Sequence, residues 1–465
     1  MFSSLYPHMA EILSSGQIKG LSAIFPGKSL IVSSQEKIIY GTDAGRRFAM
    51  PAAVVIPERV EQIQELMRFA GQEKLPVIPR ARGTNVVGSC CPEQGGIVCS
   101  CLKLNRILDV SPQDFTALVE PGVITRDFQR HLSTLGLFYP PDPASVKIST
   151  IGGNIATCAG GMSALKYGVT RDYVLGLDMV LADGSLVSTG SWVHKNVVGL
   201  DLTRLVAGSH GTLAFIVRAR LKLLPAPEET ATVLLCFADD EGPVRAGSEI
   251  LSRGILPRTL EYLPGPAIRC LAGYTQLPWP GQIRSALLVM VDGSRACVQA
   301  SASQIMQTVS QALYKDLAFA EDQRRLWEIR RLLSPAAFSL APDKLSEDVV
   351  VPRSSLLKAV RLVDETARWS GLDIIAFGHM GDGNLHVNIM YDQTSARQVQ
   401  AAHKAREEIL SQVLGLGGSI SGEHGTGLAK KDHLALQLSD SELALMRGIK
   451  KVFDPESVLN PQIKL

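Results

Sequence analysis

The sequence predicts an α+β protein of two domains. Three observations carry that reading. Apolar runs with a period of two alternate along the chain with amphipathic helical stretches. A proline-flanked stretch, Leu224-Pro225-Ala226-Pro227, separates two such series. Glycine-dense loops at 152–161 and 415–427 lie on either side of it. The 465 residues are enough for about three ordinary domains or two large ones. Hydrophobic residues make up 46% and charged residues 20%, which excludes a disordered or collagen-like chain. Lys and Arg total 47 against 45 Asp and Glu, so the net charge of +2 gives no general attraction for nucleic acid.

The elements follow in order. Pro57-Glu58-Arg59 opens a helix, with Ile63, Leu66, Met67 and Ala70 on one apolar face. Leu75 to Arg80 is extended, and its prolines confine it to a sheet edge or strand end. A loop runs from Arg80 to Gly88. Thr116–Val119 reads as a short strand. Tyr173 to Val187 reads as a hairpin turning at Asp183-Gly184, and Phe215 to Leu224 alternates again. Beyond the prolines, Thr232–Phe237 and Ala286–Val291 are strand-like. Helices are expected over about 294–313, over 320–333 and over 396–414, the last stopped by Gly415, Gly417 and Gly418. Asp373 to Met390 reads as two strands around Gly381-Asp382-Gly383-Asn384.

No apolar run reaches the length of a transmembrane helix. Met1–His8 has neither the basic nor the apolar region of a secretory leader. The eight cysteines then read as reduced, buried thiols, and the expected location is cytoplasmic, with peripheral association at the inner face of the membrane left open. Cys90-Cys91 and Cys99-x-Cys101 lack the spacing of a zinc ribbon or an iron–sulfur site, so a cluster, if the reaction needs one, belongs to a partner.

Two groups of residues carry chemistry. The glycine loops at 83–89 and 149–161 bring backbone N–H groups close to a ligand, and two such loops in one domain suit a dinucleotide. The bland reading is a pair of tight turns. Neither loop has the pattern of a Rossmann fingerprint or a P-loop. In the second group, His379 and His386 flank a Gly-Asp-Gly-Asn turn. A hairpin there makes them cross-strand neighbours, about 5 Å apart at Cβ, suited to one divalent ion. Asn388 points to the same face as His386. Glu423 offers a third ligand and His424 a base. The competing reading is structural histidines beside an unrelated glycine turn. Arg330 and Ser334, at i and i+4, share a helix face, with Lys344 in the following loop. They suit a carboxylate clamp, although Arg330-Arg331 on pattern alone reads as a solvated face.

Taken together, Pro79-Arg80 through Gly88, Glu120-Pro121-Gly122-Val123, Pro141-Asp142-Pro143, Thr150-Ile151-Gly152-Gly153-Asn154 and Tyr167-Gly168 resemble the FAD-binding half of vanillyl-alcohol-oxidase-type flavoproteins, also called the PCMH type. Gly378-His379 through His386, Gly422-Glu423-His424-Gly425 and Phe453-Asp454-Pro455 through Pro461 resemble their 2-hydroxy-acid branch, which includes D-lactate dehydrogenases, the glycolate oxidase flavin subunit and D-2-hydroxyglutarate dehydrogenase.

The resemblance implies an FAD-binding domain over 1–225, an α+β cap over 226–414, and a segment over 415–465 that returns to the FAD domain. It implies that Arg80, Ala81, Arg82, Gly83, Thr84, Asn85, Gly88 and Ser89 hold the pyrophosphate. Pro121, Gly122, Pro141, Asp142, Ser145 and Thr150 then join the cofactor site. Gly152, Gly153, Asn154, Ala156, Thr157, Gly160 and Gly161 run along the flavin and its ribityl chain. Tyr167, Gly168, Ile216 and Asn460 complete the FAD contacts. His379, His386 and Glu423 match ligands of a divalent metal (Zn, Fe or Mn), His424 a general base, and Asn388 a substrate-facing amide. Arg330, Ser334 and Lys344 match the groups that take the substrate carboxylate. One departure stands out: Arg80-Ala81-Arg82-Gly83-Thr84 replaces the family's Arg-Gly-Gly-Gly-Thr, and a positive φ at Ala81 or Arg82 would be strained.

The implied reaction is oxidation of a small D-2-hydroxy acid to the 2-oxo acid, with D-lactate favoured over glycolate or D-2-hydroxyglutarate. Electrons would pass from reduced FAD to a quinone or to a protein acceptor, either an electron-transferring flavoprotein or an iron–sulfur subunit. An oligomer is compatible with this. The alternatives are a catalytically silent FAD-binding subunit and a non-redox flavoprotein of the ether-lipid synthase kind.

Overall fold

A computed structural model describes residues 13–45 and 47–463. The reading of Met1–His8 lies outside the described residues. The chain forms two compact units. One contains the described residues up to Ala159, Val169–Ala226 and the chain from Glu423 onward. The other contains Gly160–Gly168 and Pro227–Gly422.

The first unit is built on two sheets. A four-stranded sheet has the order Leu30–Ile31, Ala53–Val55, Ile97–Ser100, Val77–Arg80, and its last two pairings are parallel. Val77–Arg80 is the edge strand, where Pro79 needs no ladder donor. Helix Val60–Glu73 buries Ile63, Leu66, Met67 and Ala70, the expected face, in the same core as Ala53, Val55, Val77 and Ile97. The second sheet is antiparallel, in the order Ile107–Ser111, Thr116–Val119, Phe215–Lys222, Val174–Val180, Leu186–Gly190. Its hairpin turns at Asp183, whose carboxylate accepts the Ser185 N–H at 2.8 Å, and at Gly184 with φ +80°.

The second unit is a seven-stranded antiparallel sheet. Its order is Tyr314–Ala318, Glu229–Phe237, Ser285–Gly293, Thr259–Leu263, Ile374–His379, Asn384–Tyr391, Asp343–Val350. Both faces are covered, which is why Thr232–Phe237 reads as a nearly continuous apolar run rather than an alternation. Val233, Leu235, Val387 and Ile389 face a core shared with residues of the helices Leu356–Ser370 and Ala396–Gly415. Leu234, Cys236, Ile375, Phe377 and Met390 face the opposite core, shared with helices Gly265–Tyr274 and Ala320–Arg331. Period two therefore directs Glu261, Phe377, His386 and Asn388 to that second face.

Residues 415–422, expected in the returning segment, pack with the second unit. Ser419 pairs with Val350, and the Gly422 N–H donates to Asp348 at 2.9 Å. All eight cysteines are free thiols, and Cys297 alone among them is exposed. Among the described residues, no helix is long and apolar enough to cross a membrane.

Candidate functional site

In the first unit, the loop after Val77–Arg80 is shaped by side chains turned toward their own backbone. Arg80 is buried, and its Nη1 donates to Thr42 O at 2.6 Å and Cys90 Sγ at 3.0 Å. Its charge is thus engaged within the protein, while Arg82 is exposed. Gly83 (φ +64°) and Gly88 (φ +80°) take the left-handed region, and Ala81 and Arg82 do not. The unusual residues therefore sit where a Cβ is free of strain. A Cβ on Gly83 would meet Arg80 Nη2 at 2.4 Å, so that glycine is required. Asn85 folds the loop by accepting the Val87 N–H at 2.9 Å, and it donates to His424 O at 3.1 Å. The Asp43 carboxylate receives the Gly88 and Gly45 N–H groups, at 2.7 and 2.8 Å. Burial raises its pKa, opposed by those two donors.

The segment expected as a glycine loop begins as a helix, Ile151–Thr157, whose N-cap Thr150 accepts the Gly153 N–H at 3.2 Å. Both glycines lie in its first turn. A Cβ on Gly152 would stand 2.4 Å from Pro121 Cβ, and one on Gly153 would stand 3.1 Å from Ala81 Cβ. Asn154 is turned inward, donating to Thr125 Oγ1 at 2.8 Å. Pro141 O accepts Gln129 Nε2 at 2.9 Å, and Ser145 O accepts the Ile148 and Ser149 N–H groups at 2.8 Å. Ile216 lies buried in Phe215–Lys222. Asn460 (φ +41°) donates from Nδ2 to Ser89 O at 3.0 Å and His210 O at 2.8 Å. Its buried Oδ1 has no partner among the described residues, and neither do the Tyr139 hydroxyl and Ser209 Oγ. Close backbone approach with unspent buried polar atoms fits a flavin dinucleotide. Gly160, Gly161, Tyr167 and Gly168, by contrast, belong to the second unit, where Tyr167 donates to Asp292 at 2.9 Å.

In the second unit, the two histidines converge, but not as directly facing residues. His386 lies opposite Phe377, and His379 lies opposite Glu261 on the other neighbouring strand. Gly378 (φ +154°) and Gly383 (φ +87°) bend the connection, and the ring centroids come to 5.1 Å. The two Nε2 atoms are 3.4 Å apart. Ligand nitrogens about 2.0–2.1 Å from a tetrahedral ion are about 3.3–3.4 Å apart, so the pair fits one metal. His379 Nδ1 is held by Glu261, a residue no spacing pattern marks. Glu261 also accepts Arg330 Nε at 2.6 Å. Burial would raise the Glu261 pKa, but Arg330 and His379 outweigh it and hold it down at about 2.

Arg330 is therefore buried, not solvated. The helix Ala320–Arg331 is interrupted at Leu332, and a separate turn, Leu333–Ala336, carries Ser334. Arg330 lies over the Phe377 ring at 4.8 Å, and Phe377 is 5.6 Å from the His386 ring. Arg330, Glu261, His379, His386 and Phe377 thus close a ring of contacts. Ser334 instead accepts Lys344 Nζ at 2.9 Å. Lys344 lies on strand Asp343–Val350, not in a loop. Asn388 accepts Ser346 Oγ at 2.9 Å, and its buried Nδ2 has no partner among the described residues. Asp348, also unmarked by pattern, lies opposite His386. It receives Asn384 Nδ2 at 2.7 Å, Ser421 Oγ at 3.1 Å and the Gly422 N–H at 2.9 Å. It thereby fixes the residue that precedes Glu423. Glu423 and His424 begin the final segment of the first unit, with His424 Nε2 3.7 Å from Glu423 Oε1.

Residues 51–190 match a family described as FAD binding domain, and residues 226–463 match FAD linked oxidases, C-terminal domain. The glycolate oxidase subunit GlcD of Bacillus subtilis (strain 168) is 38% identical over 92% of this chain and 92% of its own. The D-lactate dehydrogenase of Anaerostipes hadrus is 31% identical over 92% and 90%. The D-2-hydroxyglutarate dehydrogenase of Stutzerimonas stutzeri (strain A1501) is 31% identical over 94% and 96%. A crystal structure of p-cresol methylhydroxylase with substrate bound superposes with a TM-score of 0.79 at 18% identity, covering 98% of both chains, which identifies the fold as the vanillyl-alcohol-oxidase/PCMH type.

Proposed function

The chain belongs to the FAD-linked oxidases and is an FAD-dependent oxidoreductase, and from that premise we propose that it oxidises a small D-2-hydroxy acid to the 2-oxo acid. The observation that carries the proposal is the single buried carboxylate of Glu261, which joins an imidazole pair to an arginine. A 2-hydroxy acid presents adjacent hydroxyl and carboxylate groups, and this arrangement answers both.

FAD, when bound, would supply the hydride acceptor, and a divalent ion held by His379, His386 and Glu423 would supply the charge that makes the hydroxyl more acidic. With Nε engaged, Arg330 turns its terminal N–H groups to the substrate carboxylate, supported by the Lys344–Ser334 pair. Asn388 Nδ2 donates to a substrate oxygen. His424 accepts the hydroxyl proton on an imidazole nitrogen. Phe377 packs against the guanidinium and excludes water from that side. A small monocarboxylate is the proposed substrate, D-lactate first. A relative named as a subunit supports transfer of electrons to a partner protein.

The test is anaerobic mixing of the flavin-loaded protein with D-lactate, L-lactate, glycolate and D-2-hydroxyglutarate, following the flavin absorbance. Bleaching by a D-acid, lost on chelation and restored by a divalent ion, is the expected result. A yellow protein that none of these acids bleaches rejects the proposed substrate class.

A further inference from the structure

We propose that Glu261 is a positioning residue that fixes the tautomer of His379 with one oxygen and the pose of Arg330 with the other, so that metal affinity and carboxylate affinity depend on the same side chain. The proposal rests on His379 and His386 being metal ligands. Glu261 lies in the middle of strand Thr259–Leu263, and its side chain is 0% exposed. A buried carboxylate there only accepts hydrogen bonds. Its Oε1 faces His379 Nδ1, so Nδ1 carries the ring proton and Nε2 carries the lone pair. That Nε2 is the atom 3.4 Å from His386 Nε2. Its Oε2 takes Arg330 Nε at 2.6 Å. The guanidinium then has one hydrogen-bonded edge and one face stacked on Phe377, and its terminal N–H groups have no hydrogen-bond partner among the described residues.

The amide analogue separates this role from simple packing. Glutamine offers one acceptor and one donor where glutamate offers two acceptors. If its oxygen takes Arg330, its N–H₂ faces His379 Nδ1. The ring proton then moves to Nε2, and the metal loses a ligand. If its oxygen takes His379, its N–H₂ opposes the Arg330 N–H and the clamp swings away. Either arrangement forfeits one of the two functions at almost constant volume.

The experiment uses the FAD-loaded protein, stripped of metal with a chelator, as wild type, Glu261→Gln, Glu261→Asp and His386→Ala. Calorimetric titration with Zn(II) reads metal affinity. Titration of the Zn(II)-loaded forms with oxalate, followed by the flavin spectrum, reads the clamp. Wild type is expected to bind one equivalent of metal. Glu261→Gln is expected to lose at least about tenfold in zinc or in oxalate affinity while keeping its FAD. Glu261→Asp, which retains both acceptors, is expected to recover part of the loss. Wild-type affinity for both probes in Glu261→Gln overturns the proposal. So does loss of FAD and thermal stability in parallel with metal, without rescue in Glu261→Asp, because that marks a purely structural role. If Glu261→Gln fails to fold, Glu261→Asp decides: weaker binding of either probe with FAD intact supports the proposal, and unchanged binding overturns it. Zinc binding by His386→Ala equal to wild type rejects the ligand reading itself, a separate result.

Discussion

The two units use polar side chains in opposite ways. In the first, Arg80, Asp43, Asn85 and Asn154 bind their own loops and neighbouring strands, and what they leave available is backbone, small residues and a few unspent polar atoms. In the second, Arg330, Glu261, His379 and His386 bind one another, and the terminal N–H groups of Arg330 have no hydrogen-bond partner among the described residues. A cofactor carries its own chemistry and needs a shaped surface, whereas a hydroxy acid must be oriented and deprotonated by side chains. Damage to the loops at 80–89 and 149–157 of the first unit should therefore be steric and should cost flavin. Damage to the second should be chemical and should spare it.

The strongest break in this division is His386→Ala, expected to lower flavin reduction by the acid about 10³-fold with FAD content unchanged, as measured by anaerobic stopped flow and flavin release. Chelation should reproduce it. His424→Ala should cost about 10²-fold in the same assay while leaving metal affinity intact. Gly152→Val, whose side chain would collide with Pro121, should yield protein with depleted FAD and normal zinc affinity. Asp454→Ala addresses stability. Asp454 is fully buried, ion-paired with Lys450, and accepts the Val458 and Leu459 N–H groups at 2.9 and 2.8 Å. Its loss should cost about 3–5 kcal/mol and release FAD by loosening Asn460, read as a lower melting temperature. The smallest effect is iodoacetamide labelling. Cys297 should react in the folded protein while the seven buried thiols do not. Burial pushes Cys90 to about 11 and Cys101 to about 12, away from the reactive thiolate.

Element types were legible because alternation and amphipathic spacing are local. Strand order was not: Thr259–Leu263 and Ile374–His379 are neighbours across more than a hundred residues of chain. The same limit hid Glu261. A lone acid in Thr-Leu-Glu-Tyr-Leu looks like the solvent face of a strand, and only the covered second face of the sheet makes it buried. Arg330 was visible as a residue, but its partner was not, for the same reason. The helix at Ile151–Thr157 was masked by its glycines, which lower helix propensity but sit in the first turn, where Thr150 caps it.

The spacing of the imidazole pair sets an order of assembly. His379 and His386 are seven residues apart on one hairpin, while Glu261 lies 118 residues from His379. Hairpins close in about 1–10 μs, and pairings across long stretches of chain form far more slowly. A refolding chain should thus present both imidazoles before the strand that selects the His379 tautomer has docked. If the pair holds a metal as proposed, an ion captured in that interval would be held by two freely rotating rings, and one arriving afterwards would meet a finished site. The moment of metal delivery, and not only the ligand set, would then shape which ion is kept.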